Sequence, residues 1–174
     1  FFINTARTSL LTSEGCTEPC MNPLNVAFQA SAITVTTGNT VSFTNISSNA
    51  NTYEWQINGT TFSNTTNTTY TFNQVGTYTI TLIGANGSPF CESEYSIEIT
   101  VECNTVANFS ASADLIGVGE SVIFNNTSIN GISYSWSVNG NQEATSNNFN
   151  YTFNSGDIYE ICLTAQGTYC DDTY

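Results

Sequence analysis

The sequence predicts an all-β protein built from two tandem β-sandwiches, and three observations carry that reading. Apolar and polar residues alternate in short runs bounded by turn residues, the pattern of half-buried antiparallel strands, and helical spacing is nowhere convincing. The whole pattern occurs twice: an offset of 81 residues carries Phe28 onto Phe109, Val41 onto Val122, Phe43 onto Phe124, Trp55 onto Trp136, Phe72 onto Phe153 and Leu82 onto Leu163. The turn dipeptide Asn58-Gly59 recurs at the same offset as Asn139-Gly140. A period this long is a domain rather than a solenoid turn, so the chain is expected to be beads on a string.

In the first copy, Val26 to Ala32 reads as the opening strand, and Thr37-Gly38-Asn39 turns into Thr40 to Asn45 with Val41 and Phe43 on one face. Tyr53, Trp55 and Ile57 then point inward while Glu54 and Gln56 point out, until Asn58-Gly59 ends the strand. A short strand holds Tyr70 and Phe72. Thr77 to Gly84 alternates Tyr78, Ile80 and Leu82 against threonines, and Tyr95, Ile97, Ile99 and Val101 form the last strand. About seven strands per copy, spaced by turns, argue an immunoglobulin-like sandwich. Its expected core is Phe43, Trp55, Tyr78 and Leu82 in copy one and Phe124, Trp136, Tyr159 and Leu163 in copy two.

Composition narrows function before any site is considered. Charged residues are only 9% of the chain, with one Arg, no Lys, no His and a formal charge of -13. Such a charge repels phosphate backbones and anionic headgroups, which argues against nucleic acid and membrane surfaces as partners. No apolar run approaches the length of a membrane-spanning helix, so no membrane insertion is expected. The surface must be mostly Asn, Thr and Ser. Asn-x-Ser/Thr sequons recur, among them Asn45, Asn64 and Asn108, as they will in any sequence this rich in those residues.

Three stretches carry a more specific likeness. Tyr53-x-Trp55-x-Ile57-Asn58-Gly59, Tyr70-x-Phe72 and Gly76-x-Tyr78-x-Ile80-x-Leu82 are repeated from Tyr134 to Gly140 and from Tyr151 to Leu163. Together they resemble the PKD domain family over nearly everything after residue 25. The resemblance implies sandwiches that recur in tandem in large secreted bacterial surface proteins, and beside the catalytic domains of secreted hydrolases. This chain departs from the family where a tryptophan-aspartate, glycine-aspartate-glycine segment is usual. It has Trp55-Gln56-Ile57-Asn58-Gly59 and Trp136-Ser137-Val138-Asn139-Gly140, without either aspartate, which weakens any role resting on those acids.

Six cysteines in an acidic chain without His favour disulfides and an extracellular, oxidising setting. The spacing of Cys16 and Cys20 fits a zinc pair, but the other cysteines are scattered and His is absent. In an immunoglobulin-like sandwich the starts of the first and last strands lie near one pole, so Cys20 is expected to pair with Cys91 and Cys103 with Cys170. A rival pairing joins Cys162 to Cys170 across the final hairpin. Under the first scheme Cys16 and Cys162 are left for bonds to another chain.

Three domains are therefore expected: residues 1–24 as a strand or linker segment, 25–103 as the first sandwich and 104–174 as the second. Copy two has only Asp171-Asp172-Thr173-Tyr174 after its last cysteine, where copy one runs from Cys91 to Cys103, so copy two is expected to lack its last strand. Such a sandwich exposes its apolar interior and a sheet edge. Phe1, Phe2, Ile3, Leu10 and Leu11 lie in strand-forming sequence belonging to neither copy. Two explanations follow. The sequence is a window on a longer array of repeats, or the leading segment of one molecule fills the groove of the next, as in strand donation.

No catalytic site is expected. Without His or Lys the usual bases near neutrality, Schiff-base chemistry and every Ser-His or Cys-His arrangement are missing. Glu92, Glu94, Asp171 and Asp172 are the remaining carboxylate pairs; they are weak candidates for calcium and read more simply as solvated strand edges. No cofactor is expected. The leading reading is a structural and adhesive extracellular protein: a segment of a cell-surface adhesin, stalk or filament. Its partners would be copies of itself, neighbouring repeats or surface glycans. The alternative is a non-catalytic glycan- or protein-binding module of a secreted hydrolase, for which Phe62, Phe90, Phe149 and Tyr169 are the possible outward aromatics.

Overall fold

The computed structural model describes residues 23–86 and 91–174, and all regular structure among them is β. The chain divides into two compact units, with the main division between Thr100 and Val101. Of the expected segment 1–24, residues 1–22 lie outside the described residues, as does Phe90.

The first sandwich contains β1 (Phe28–Ala30), β2 (Thr34–Thr36), β3 (Thr40–Asn45), β4 (Thr52–Ile57), β5 (Thr60–Ser63), β6 (Thr68–Thr71), β7 (Gly76–Ala85) and β8 (Glu92–Glu102). They form one sheet in the order β1-β3-β6 and another in the order β2-β8-β7-β4-β5. The predicted opening strand is thus shorter than expected and is followed by a second piece, β2, that joins the other sheet. Alternation works as the sequence suggests: Val41 and Phe43 are buried while Ser42 and Thr44 are exposed.

Asn58 and Gly59 both have positive φ, 48° and 78°, the backbone required by a two-residue hairpin whose twist matches its strands. The hairpin pairs β4 with β5, a strand the sequence reading did not single out. Trp55 is fully buried between the sheets, where Phe28 and Phe43 pack on it with centroids 4.9 Å and 5.8 Å away. Its indole N–H donates to the Thr65 carbonyl at 2.9 Å, so the buried polar atom is satisfied.

The second unit repeats this plan with β9 (Phe109–Ala111), β10 (Ser121–Asn126), β11 (Ser133–Val138), β12 (Asn141–Ala144), β13 (Phe149–Thr152), β14 (Ile161–Gln166) and β15 (Asp171–Thr173). The sheets are β9-β10-β13 and β12-β11-β14-β15. A bulge after Trp136 matches the bulge after Trp55, and the Trp136 indole donates to the Ser146 carbonyl at 3.0 Å. Asn139 and Gly140 take the same positive-φ turn.

Three expectations need correction. The second copy does have the beginning of its last strand: β15 pairs antiparallel with β14, and Tyr174 and Leu163 exchange two backbone hydrogen bonds of 2.9 Å. The return is set by a turn in which the Gly167 N–H donates to the Cys170 carbonyl at 3.1 Å and to Asp171 Oδ1 at 3.2 Å. Gly167 is needed there, because a Cβ would run into the Thr105 hydroxyl and the Cys170 carbonyl.

Tyr78 and Tyr159, expected in the core, are only half-buried. Tyr78 stands near the start of β7 and Tyr159 just before β14, and the Tyr159 hydroxyl meets the Ser155 hydroxyl at 2.5 Å. Phe149, counted as an outward aromatic, is buried and stacks on Trp136 at 5.6 Å and 26°. It stands at the offset position of Thr68 in the first copy, so it adds an aromatic layer that the first unit lacks.

Candidate functional site

β8 sits between β2 and β7 in the first unit, with Ile99 and Val101 fully or almost fully buried. The Thr100 N–H donates to the Ile33 carbonyl at 2.8 Å, tying β8 to the strand beside it. The corresponding strand in the second unit is three residues long against eleven. Two further differences stand beside it. Residues 115–117, at the 81-residue offset from β2, form no strand; the Gly117 N–H donates to Glu120 Oε2 at 2.7 Å in a local turn. The partner strand β14 is also shorter, six residues against ten in β7.

What remains is a groove of about 460 Å³ floored by Phe109, Ile116, Val122, Phe124, Phe153 and Ile161. Its rim is apolar and open. Leu115, Val118 and Ile158 line it while exposing 90%, 65% and 98% of their surface. At the 81-residue offset these three replace Thr34, Thr37 and Thr77 of the first copy. The copy with the shortened strand is therefore the copy with apolar residues at that rim, and Asp114 and Asp157 stand beside them. Sequence reasoning did not single out these residues, although the Thr-to-aliphatic exchanges were the available signal.

The carboxylates have other work. Asp172 Oδ2 accepts the Ala107 N–H at 2.8 Å and Asp171 Oδ1 accepts from Gly167, while Glu92 and Glu94 are exposed on β8. Among the described residues no three of Cys, Asp and Glu gather as a metal site. Glu54, on the outer face of β4, accepts from the Thr61 hydroxyl at 2.5 Å and the Gln56 amide at 2.7 Å. Those two bonds hold its carboxyl below the usual carboxylate range, against a smaller opposing effect of burial.

Cys103 and Cys170 are disulfide-bonded with Cα atoms 5.8 Å apart, and Cys162 is a half-buried free thiol on β14, opposite Ser137. The rival Cys162–Cys170 pairing is thereby excluded. Cys91 is also disulfide-bonded. The expected partner Cys20, like Cys16 and the strand candidates Phe1, Phe2, Ile3, Leu10 and Leu11, lies outside the described residues. Of the proposed outward aromatics, Phe62 packs on Tyr70 at 5.2 Å and Tyr169 is exposed, in unrelated places.

Two sandwiches with this strand order make the chain an all-β protein of immunoglobulin-like modules. Residues 25–102 match the model of the PKD domain family, and the second sandwich repeats the strands, the buried tryptophan and the turns of that stretch. Solved structures with a similar course include the fibronectin(III)-like modules of Clostridium thermocellum CbhA, at 14% identity over 86% of this chain and 90% of that one with a TM-score of 0.37. Carbohydrate-binding modules of the β-sandwich superfamily align at 13% identity over 83% and 85%, with a TM-score of 0.44. Three N-terminal domains of the bacteriophage RB49 outer capsid protein Hoc align at 16% over 87% and 57%, with a TM-score of 0.39. No curated protein matches the chain in sequence. PKD domains are typically extracellular, and the disulfides are consistent with an oxidising setting. No described helix is long and apolar enough to cross a membrane.

Proposed function

We propose that the chain is a structural and adhesive extracellular protein, a tandem-repeat segment of a cell-surface adhesin, stalk or filament whose copies join head to tail. The observation that carries this reading is the repetition itself. Both copies keep the buried residues and turns that build a sandwich, whereas Asn, Thr and Ser cover most of the outer faces and differ between the copies. A catalytic protein would spend sequence on one convergent constellation; here the carboxylates serve backbone N–H groups and the turns. The chain acts by mechanics, with strand ladders and disulfides resisting extension and a neutral polar surface making many weak hydrogen bonds to neighbours or glycans.

Beads coated with the chain provide the test. Retention on cell surfaces, on immobilised glycans or on one another, above beads coated with an unrelated acidic sandwich, is the expected result. Equal retention sinks the adhesive reading, and turnover in a broad hydrolase screen that is lost in an Asp171/Asp172 double substitution replaces it with an enzyme.

A further inference from the structure

Strand β6 ends the sheet β1-β3-β6 of the first sandwich, so one side of its backbone meets no described strand. Which groups lie on that side follows from its pairing with β3. Val41 stands opposite Tyr70 and Phe43 opposite Thr68. Two residues beyond Tyr70, the Phe72 N–H donates to the Asn39 carbonyl at 3.0 Å while the Phe72 carbonyl accepts from Gly38 at 2.7 Å. Alternation along the strand therefore turns the N–H and C=O of Thr68 and Tyr70 toward β3, and those of Thr69 and Thr71 away from the sheet. Among the described residues nothing blunts this edge. β1 and β2 are three residues long and β5 pairs through a bulge, whereas β6 runs four residues in unbroken register without Pro or charge. The acids between residues 23 and 102 are Glu54, Glu92, Glu94, Glu98 and Glu102, and all lie on β4 or β8 in the other sheet.

We infer that two copies of this chain pair side by side through β6 of their first sandwiches, antiparallel about a two-fold axis at Tyr70. Thr69 of each copy then stands opposite Thr71 of the other, and each such pair exchanges two backbone hydrogen bonds through the groups that face away from β3. Between them Tyr70 meets its own copy in the non-hydrogen-bonded position, where side chains approach most closely and an aromatic pair stabilises. Phe62, half-buried and packed on Tyr70 at 5.2 Å, gives those two rings apolar cover. The threonine hydroxyls extend a contact already present within the sheet, where Thr40 meets Thr71 at 2.7 Å. Charge favours the same approach. A chain of net charge -13 repels its own copies, and the β6 side of the first sandwich brings none of that sandwich's acid-bearing strands to the contact. The second sandwich offers Asn150 and Thr152 around Tyr151 in the same register, but Glu143 stands where the first has Phe62, so a two-fold pair there would bring like charges together. The contact is isologous and closes at a dimer; it goes beyond the head-to-tail joining proposed above and does not rest on it.

The test sizes the full chain by sedimentation across concentrations, with free thiols alkylated so that thiol exchange cannot link copies. A monomer–dimer equilibrium is expected. In the dimer, amide exchange at Thr69 and Thr71 should slow by roughly tenfold or more, while exchange at Asn150 and Thr152 stays as in the monomer. The double substitution Thr69→Glu/Thr71→Glu sets like charges opposite each other in the pair. It should weaken the dimer by roughly tenfold or more at low salt, with the gap narrowing as salt rises. Both threonines are exposed, so Trp55 fluorescence should show this variant folded. Phe62→Glu, which gives the first sandwich the residue the second already carries, is the second variant and should weaken the dimer likewise. Asn150→Glu/Thr152→Glu should leave it unchanged. A chain that stays monomeric at every concentration overturns the inference. So does a dimer that survives both first-sandwich variants, or one protected at 150 and 152 instead of 69 and 71. Bead adhesion by a strictly monomeric chain would leave the adhesive reading standing while this one fails.

Discussion

Tyr174 meets Phe109 edge-on, with ring centroids 5.2 Å apart and planes at 84°, and Tyr95 meets Phe28 in the same way at 5.4 Å and 79°. The two pairs align the final hairpins of the two sandwiches. Tyr95 and Tyr174 are separated by 79 residues, as are Cys91 and Cys170, so the second hairpin has lost two residues from the general offset of 81. β8 runs on beyond Tyr95 to Glu102.

Appending Ser-Ile-Glu-Ile-Thr-Val-Glu, the sequence of residues 96–102, after Tyr174 should therefore raise the melting temperature of the second sandwich. Each kcal/mol gained is worth about 4–8 °C in a domain of this size. Trp136 fluorescence in a Trp55→Phe background reads that transition alone. A control tail with Asn in place of both Ile residues and the Val should leave it unchanged. Equal melting with either tail would falsify the alignment of the groove with β8.

Much of this fold was legible because burial and period agree. Val41, Phe43, Trp55, Ile80 and Leu82 alternate with polar residues and are all buried. Short edge strands were not legible: Thr60–Ser63 and Asn141–Ala144 bury little, so only their hairpin turns mark them. β15 was missed because its three residues contain two aspartates, which disfavour strands; its position comes from the disulfide and the Gly167 turn, not from propensity. The groove rim escaped notice for a different reason. Leu115, Val118 and Ile158 are exposed, and periodicity identifies faces that are covered within the chain.

Phe149 distinguishes the two cores. It stacks on both Trp136 and Phe124, whereas Thr68 at the offset position is half-buried without an aromatic partner. Phe149→Ala should cost about 3–5 kcal/mol in the second sandwich by the usual scale for a buried aromatic, and Thr68→Ala less than 1 kcal/mol or so in the first. Equilibrium denaturation followed by each tryptophan in turn checks the contrast; similar losses would show that the aromatic layer contributes little.

The Cys103–Cys170 bond closes a loop with a sequence separation of 67. The chain-entropy model assigns such a loop about 4 kcal/mol. Replacing both cysteines with alanine should destabilise the second sandwich by that order while the first, held by the bond at Cys91, melts as before. Exchange should rise first at β15, which begins directly after the bonded Cys170. Protection at 171–173 that survives the double substitution would mean that the ladder and the Gly167 turn suffice.

Glu54 gives the first sandwich an acid dependence that the second does not share, since Ser135 stands at its offset position. The folded carboxyl titrates below its ordinary value of 4.5 because the Thr61 hydroxyl, and then the Gln56 amide, hydrogen-bond its ionised form. A depressed folded value stabilises the fold fully above the unfolded value. That contribution fades as pH falls below about 4.5 toward the folded value. Between pH 7 and pH 3.5, native Trp55-reported stability should thus fall more than that of Glu54→Gln. Thr61→Val should raise the titration midpoint of the Glu54 carboxyl carbon toward its ordinary value, as read by NMR. A midpoint that does not move in Thr61→Val assigns the shift to Gln56 or to the field of the sheet instead.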